Sequence, residues 1–190
     1  MILGERVSEV NIELSGSFAM TYRGHGTDRA LIAGILGMKP DDDRIINSFD
    51  IARYEGLKYR FSETILAKAH PNTAILHLTG VYGAHCSIQG ASVGGGSILI
   101  AKLNGMESVF NGEADTLIVV HKDTPGVIAA VTSLLAESGL NIGNFRSSRS
   151  YKGRQAIMII ETDSAIDESV VTRLRSIPEV INVVYMPPVI

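Results

Sequence analysis

The sequence contains only one cysteine, Cys86, among its 190 residues. A single thiol cannot form an intramolecular disulfide, and it cannot by itself hold a structural zinc ion or an iron–sulfur cubane. We therefore expect no metal site and no cofactor on this chain, and any cluster that its function requires must be held by another chain. The cysteine itself is most simply a small buried residue.

Runs of basic residues and long apolar runs are also missing. The net charge is −3, and the 17 Lys and Arg residues form no run, so neither nucleic acid nor a membrane is an expected partner. No segment approaches a membrane-spanning length, and charged residues occupy the N-terminal stretch where a signal peptide is apolar. We therefore predict a cytoplasmic protein. A hydrophobic content of 45% with 19% charged residues predicts a folded core.

A polar, glycine-containing bridge at residues 111–114 predicts a boundary between two domains, residues 1–113 and 114–190. In the second domain, β-branched runs and apolar stripes of helical spacing predict the order βαββαβ. The predicted elements are strand 116–121, helix 125–138, strands 142–150 and 155–162, helix 167–176 and strand 180–185. This order predicts a ferredoxin-like fold with both helices on one face of an antiparallel sheet.

Cap and turn residues refine that prediction. Thr124 and Pro125 predict the N-cap and first residue of the first helix, and Gly139 predicts its end. Lys152 and Gly153 predict a hairpin turn. The residue pattern of the first domain predicts mixed α/β structure, so we predict the α+β class for the whole chain. Its predicted elements are strand 10–14, helices 28–36 and 48–54, and strands 57–61, 73–79, 97–103 and 106–110.

The segment 15–28 is rich in glycine and leads into a helix. Its glycines permit close backbone approach, and the free amides at the helix start suit an anion such as a carboxylate. The alternative is that Thr27 or Asp28 caps the helix while the glycines form a tight turn, and the local pattern alone favours this reading.

Two further segments have a functional and a structural interpretation. In His70-Pro71-Asn72 the proline makes the backbone rigid, so that both polar side chains can be aimed at one ligand, although an ordinary polar turn is equally simple. Gly94, Gly95 and Gly96 can form an anion-binding concavity, or a bulge or strand crossing where no side chain fits. The Lys and Ser/Thr of a nucleotide-binding loop are missing, so an ATP site is not expected.

The loop 122–127 of the second domain joins a predicted strand to a predicted helix. The free backbone amides at the start of that helix suit the binding of an anion. Asn141 follows that helix, and its carboxamide can both donate and accept hydrogen bonds, which suits a zwitterionic amino acid. Capping by Asp123 and a helix-ending turn at Asn141 are the structural alternatives. His121 is interpreted as a strand-end residue.

The βαββαβ order, with Asp-x-Pro-Gly-Val after the first strand and Gly-Leu-Asn-Ile after the first helix, resembles an ACT domain over residues 114–185. The resemblance implies an amino-acid effector site that a second subunit often completes, and hence a homodimer through this domain. The residues that it implies for the effector site are Asp123, Pro125, Gly126, Val127, Asn141 and Ile142.

The upstream segment resembles the beta chain of bacterial iron–sulfur serine dehydratases. The motifs that match, in chain order, are Gly-Ser-Phe-Ala-x-Thr-x-x-Gly-His-Gly-Thr-Asp at residues 16–28, Asp-Arg-Ile at 43–45, His-Pro-Asn at 70–72 and Ser-x-Gly-Gly-Gly at 92–96. The resemblance implies catalytic roles for His25, His70 and Asn72, and substrate-binding roles for Gly24, Gly26, Thr27, Asp28, Gly94, Gly95 and Gly96.

The same resemblance implies dehydration of L-serine to pyruvate and ammonia by a [4Fe-4S] cluster that a partner alpha subunit ligates. Family members usually carry a Ser-Ser-Ser-His-Thr stretch before the first strand, which this sequence lacks, so independent catalysis is not expected. Two alternatives remain: a non-catalytic module that senses an amino acid, as in some phosphoglycerate dehydrogenases, and a free-standing ACT-type binding protein.

Overall fold

The computed structural model describes residues 3–151 and 153–188. The chain forms two compact units that divide between Val93 and Gly94. The domain boundary that the sequence predicts, after Glu113, differs from this division and stays a prediction. Within the described residues, no helix is both long and apolar enough to cross a membrane.

The first unit has a sheet with helices on one face. Its strands lie in the order β2-β1-β3-β4, with β1 parallel to β2 and antiparallel to β3. The elements are β1 (Val7–Ser15), α1 (Ser17–Thr21), α2 (Thr27–Ile35), a 3₁₀ helix (Asp43–Asn47), α3 (Ser48–Tyr54), β2 (Lys58–Thr64), β3 (Thr73–Gly80) and β4 (His85–Gly94). The sequence analysis missed α1, the 3₁₀ helix and β4.

Alternation in β1 builds the core of this unit. Val10, Ile12 and Leu14 are completely buried and belong to one cluster with residues of the three other strands and of the helices. Cys86 lies in the same cluster, and burial raises the pKa of its thiol to about 11. The prediction of a small buried cysteine is therefore confirmed.

The second unit contains the predicted βαββαβ order, preceded by a β-hairpin. Its elements are β5 (Ser97–Leu103), β6 (Met106–Phe110), β7 (Asp115–Lys122), α4 (Val127–Glu137), β8 (Ile142–Arg149), β9 (Gln155–Thr162), α5 (Glu168–Arg175) and β10 (Val180–Met186). The four later strands form an antiparallel sheet in the order β10-β7-β9-β8. The α+β class is confirmed.

The helix α4 begins later than predicted. Its N-cap is Gly126, with a φ of 92°, and no side chain caps it, so Thr124 is not the cap and Pro125 is not the first helical residue. The turn before α4 needs a residue with a left-handed backbone conformation, which glycine adopts at no steric cost. Because Gly126 has this conformation, the helix can begin only at Val127. Gly139 ends the helix as predicted, with a φ of 72° and its amide on the Ala136 carbonyl. Lys152, one of the two predicted hairpin residues, lies outside the described residues.

Both faces of the ACT-like sheet are buried. On one face Leu117, Val119 and Ile160 pack with α4 and α5 in a single cluster. On the other face Ile118 and Ile157 are also almost fully buried, and β6 lies against β8 and β9. The strand β8 lies at the edge of the sheet.

Candidate functional site

The Gly-Ser-Phe-Ala and His-Pro-Asn motifs meet in the first unit. A side chain at Gly16 would place its Cβ 2.5 Å from the Pro71 carbonyl oxygen, so only glycine fits this contact. The backbone amide of Phe18 donates to the same oxygen at 3.4 Å. The turn into α1 therefore rests directly on the turn that carries His70 and Asn72.

The His70–Asn72 turn is held on both sides. Thr73 Oγ1 donates to the His70 carbonyl at 2.7 Å, and the backbone amide of Ser92 donates to the Asn72 carbonyl at 3.1 Å. Inside the turn, the Asn72 amide donates to Nδ1 of His70 at 3.2 Å. The ring of His70 is exposed and Asn72 is half-buried. Three of the motif segments, around residues 16, 71 and 92, are thus brought together.

The His25 loop makes its described hydrogen bonds within its own turn and helix. The His25 amide donates to the Thr21 carbonyl, and the N-cap of α2 is Gly26, with a φ of 72°. The helix has no side-chain cap, so the interpretation of Thr27 or Asp28 as the cap is wrong. Asp28 instead accepts from the adjacent Arg29 amide. Substrate binding by Gly24, Gly26, Thr27 and Asp28 remains a prediction.

Gly94 ends β4, and Gly95 and Gly96 form the turn that follows it. Their φ angles are 98°, 61° and 82°, and an added Cβ at any of them would meet no atom within 4 Å. The idea of a crossing where no side chain fits is therefore wrong, because backbone conformation alone explains glycine here. A role in substrate binding remains a prediction.

Asp123 ties the loop before α4 to the β8–β9 hairpin. Its Oδ2 accepts from the Gly153 amide at 3.0 Å and from the Arg149 guanidinium at 3.2 Å. The hydrogen bond from Gly153, followed by that from Arg149, lowers the pKa of Asp123. Pro125 and Gly126 are exposed, whereas Val127 is buried in the core. No side chain caps α4, so the alternative that Asp123 caps this helix is wrong.

Asn141 has a carboxylate partner that the sequence analysis missed. Its Nδ2 donates to Asp163 Oδ2 at 2.5 Å, and the Asp163 amide donates to the Asn141 carbonyl at 3.3 Å. A Cβ at Gly143 would come within 2.9 Å of Asp163 Oδ1. Ile142 is half-buried against the core. Asp163 lies beside Asn141 because the strand register pairs Ile142 with Thr162. The Gly-Leu-Asn-Ile motif does not encode this register, so the sequence alone could not identify Asp163 as the partner.

The two parts of the predicted effector site lie at opposite ends of the sheet. The β8–β9 register pairs Ile142 with Thr162 and Arg149 with Ala156. Seven strand residues at roughly 3.3 Å each separate the Asn141 end from the Asp123 end by about 23 Å. A single chain therefore does not bring residues 123–127 together with Asn141 and Ile142.

His121 is a buried histidine beside the Asp123 loop. Its side chain is 2% exposed, and Nδ1 donates to the Lys122 carbonyl at 2.7 Å. Among the described residues, its Nε2 is buried without a hydrogen-bond partner. The described part of the chain also has no group of three or more His, Cys, Asp or Glu side chains arranged to hold a metal ion.

Comparison with known proteins agrees with both motif sets. The serine dehydratase beta chain family matches residues 2–53, and the ACT domain family matches residues 116–179. A probable L-serine dehydratase beta chain of Bacillus subtilis (strain 168) is 36% identical over 182 residues, covering 96% of this chain and 82% of the relative.

Two further relatives are similar over most of the chain. The L-serine dehydratase beta chain of Peptoniphilus asaccharolyticus is 38% identical over 88% of this chain and 76% of its own length. A D-3-phosphoglycerate dehydrogenase of Bacillus subtilis (strain 168) is 25% identical, and the match covers 94% of this chain but 34% of that enzyme. The chain belongs to the serine dehydratase beta-chain family and carries an ACT domain.

Proposed function

We propose that this chain is the beta subunit of an L-serine dehydratase, which converts L-serine to pyruvate and ammonia. The observation that carries the proposal is the anchored His70–Asn72 turn. Hydrogen bonds from Phe18, Thr73 and Ser92 hold its backbone, which presents the two polar side chains. Two beta-chain relatives with this activity in their names match most of the chain. Dehydration of serine yields aminoacrylate, which tautomerises and hydrolyses to the two products.

The residues of this chain do not fit a [4Fe-4S] cluster. Its one cysteine is buried, and the raised pKa of Cys86 disfavours the thiolate that ligates iron. The cluster therefore belongs to the partner alpha subunit in this proposal. His70 and Asn72 then contribute hydrogen bonds that orient the substrate, with His25 and the glycine loops near its carboxylate.

The exposure of the site supports completion by another chain. His70 and His25 are exposed, whereas a dehydratase site must exclude water around the reacting serine. Two large apolar side chains near the Gly16 turn are exposed to solvent. They are Met20, which is 80% exposed, and Ile65, which is 97% exposed. Ile65 precedes Leu66, whose amide donates to Ser15 Oγ. A partner subunit that docks here would bury both and close the site.

The ACT domain is proposed to bind L-serine or another small amino acid in a homodimer. Two β8 edges paired antiparallel would place Asn141 of one copy near Asp123 of the other, since these residues mark opposite ends of β8. The α4 amides suit the effector carboxylate.

Reconstitution tests the catalytic proposal. The purified chain alone should stay colourless after anaerobic treatment with iron and sulfide and should not consume serine, and addition of a cysteine-bearing partner subunit should produce pyruvate. His70→Ala should lower that turnover. A non-catalytic sensing module, which the match to D-3-phosphoglycerate dehydrogenase favours, predicts instead that His70→Ala leaves turnover unchanged.

A further inference from the structure

The hydrogen bond inside the His70–Asn72 turn determines which ring nitrogen of His70 carries the proton. The Asn72 backbone amide lies 3.2 Å from Nδ1. A backbone N–H can only donate, so Nδ1 must be the unprotonated nitrogen, and the neutral ring then carries its proton on Nε2. The exposed edge of the imidazole therefore presents an N–H donor.

The amide that makes this bond is itself fixed in place. All three carbonyl groups of the turn accept hydrogen bonds, from Thr73 Oγ1, the Phe18 amide and the Ser92 amide. Pro71 restricts its own φ and lacks a competing N–H. Thr73 is 2% exposed, so its bond to the turn is shielded from water. A swing of the Asn72 amide away from the ring would break these contacts.

We propose that His70 binds an oxygen atom of the substrate through Nε2–H, and that the Asn72 backbone amide is the positioning group that fixes this tautomer. The proposal rests on the proposed dehydratase function. A neutral Nε2–H has no lone pair available for a proton, so His70 is not the base that removes the α-proton of serine. No proton leaves the ring during the reaction, and the base is another group.

The tautomer can be measured on the full chain without a partner. Long-range proton–nitrogen NMR correlations of the ¹⁵N-histidine-labelled chain at alkaline pH distinguish the two neutral tautomers, and the His70→Gln variant identifies the His70 signals. We expect the Nε2–H form to dominate. A dominant Nδ1–H form, or equal populations of the two forms, would overturn the proposal.

Two substitutions test the donor role in the assembled enzyme. The Gln amide of His70→Gln reaches the position of Nε2, whereas the Asn amide of His70→Asn reaches only that of Nδ1. We expect His70→Gln to keep roughly ten times more turnover than His70→Asn, in line with the loss of one hydrogen bond to the substrate. Equal losses in both variants would overturn the donor role.

The outcomes separate this inference from the function on which it rests. If the wild-type chain and its partner fail to turn over serine, the proposed function falls, and the donor role with it, whereas the tautomer result stands. If turnover is normal and the NMR shows the Nδ1–H form, the function stands and the inference falls.

Discussion

The side-chain amide of Asn141 donates to the carboxylate of Asp163, with 2.5 Å between Nδ2 and Oδ2. This contact uses one of the two N–H donors of the carboxamide, whose oxygen can accept a further hydrogen bond. An effector that binds at Asn141 therefore meets an amide oxygen and a carboxylate side by side, which suits the ammonium group of an amino acid.

Replacing Asn141 by Ala should weaken effector binding, because the oxygen acceptor and the orientation of Asp163 are both lost. A hydrogen bond to a charged group contributes about 1.5–3 kcal/mol, or roughly ten- to hundredfold in affinity. Calorimetry measures the affinity, and Asn11→Ala, at an exposed position of β1, serves as the control. Turnover at saturating serine should persist, and its complete loss in a folded variant would contradict this division of roles.

Asp123→Asn should destabilise the chain at neutral pH. The folded pKa of Asp123 is lowered, so its contribution is present above the unfolded value near 3.8 and is lost as pH falls through the folded value. Urea unfolding at neutral pH should separate the variant from wild type, whereas the two curves should converge in acid below that range. A difference that is independent of pH would show that the charge is not responsible.

The buried thiol of Cys86 should make stability fall at alkaline pH. Its pKa rises from 9.0 to about 11 on folding, so its contribution is complete below pH 9 and is lost as pH rises through 11. Two pKa units correspond to about 3 kcal/mol at most. Unfolding curves of wild type and Cys86→Ala across this range isolate the effect, because other titrating groups are common to both. Slow alkylation of the native thiol provides a second measurement.

Gly16→Ala should disturb the His70–Asn72 turn. The variant forces a left-handed φ on alanine, which costs about 1–2 kcal/mol, and its Cβ would lie 2.5 Å from the Pro71 oxygen. We expect a lower melting temperature and lower turnover with the partner subunit. The matched control is Gly34→Ala within α2, where a Cβ meets no atom within 4 Å and alanine should stabilise the helix.

Self-association through β8 should depend on its exposed apolar surface. Phe145 lies on this edge strand and is 36% exposed. Light scattering should show a wild-type dimer at micromolar concentration and a monomer for Phe145→Asp, because a charge in the contact must be desolvated. Tyr82→Asp, at an 89% exposed position of the first unit, should remain dimeric. A monomeric wild-type chain would refute the dimer.

Elements with strong local patterns were predictable, and those specified by neighbours were not. The apolar run in β9 and the helix α3 have the predicted bounds, Gln155–Thr162 and Ser48–Tyr54. The missed strand β4 contains small and polar residues, and its strand conformation depends on pairing with β3. The start of α4 depends on the φ of Gly126. The Gly16–Pro71 and Asn141–Asp163 contacts arise from strand register, which motif spacing does not encode.

The central position of β1 has a consequence for synthesis on the ribosome. Val7–Ser15 leaves the ribosome before both of its partner strands, Lys58–Thr64 and Thr73–Gly80. At 5–20 residues per second, the interval between synthesis of β1 and completion of β3 is roughly 3 to 15 s. During this time β1 cannot complete its pairing, because the elements between β1 and β2 are all helices and supply no partner strand. The nascent chain is therefore most vulnerable to aggregation before β3 emerges, and a chaperone that protects the first strand would have its largest effect on yield at that stage.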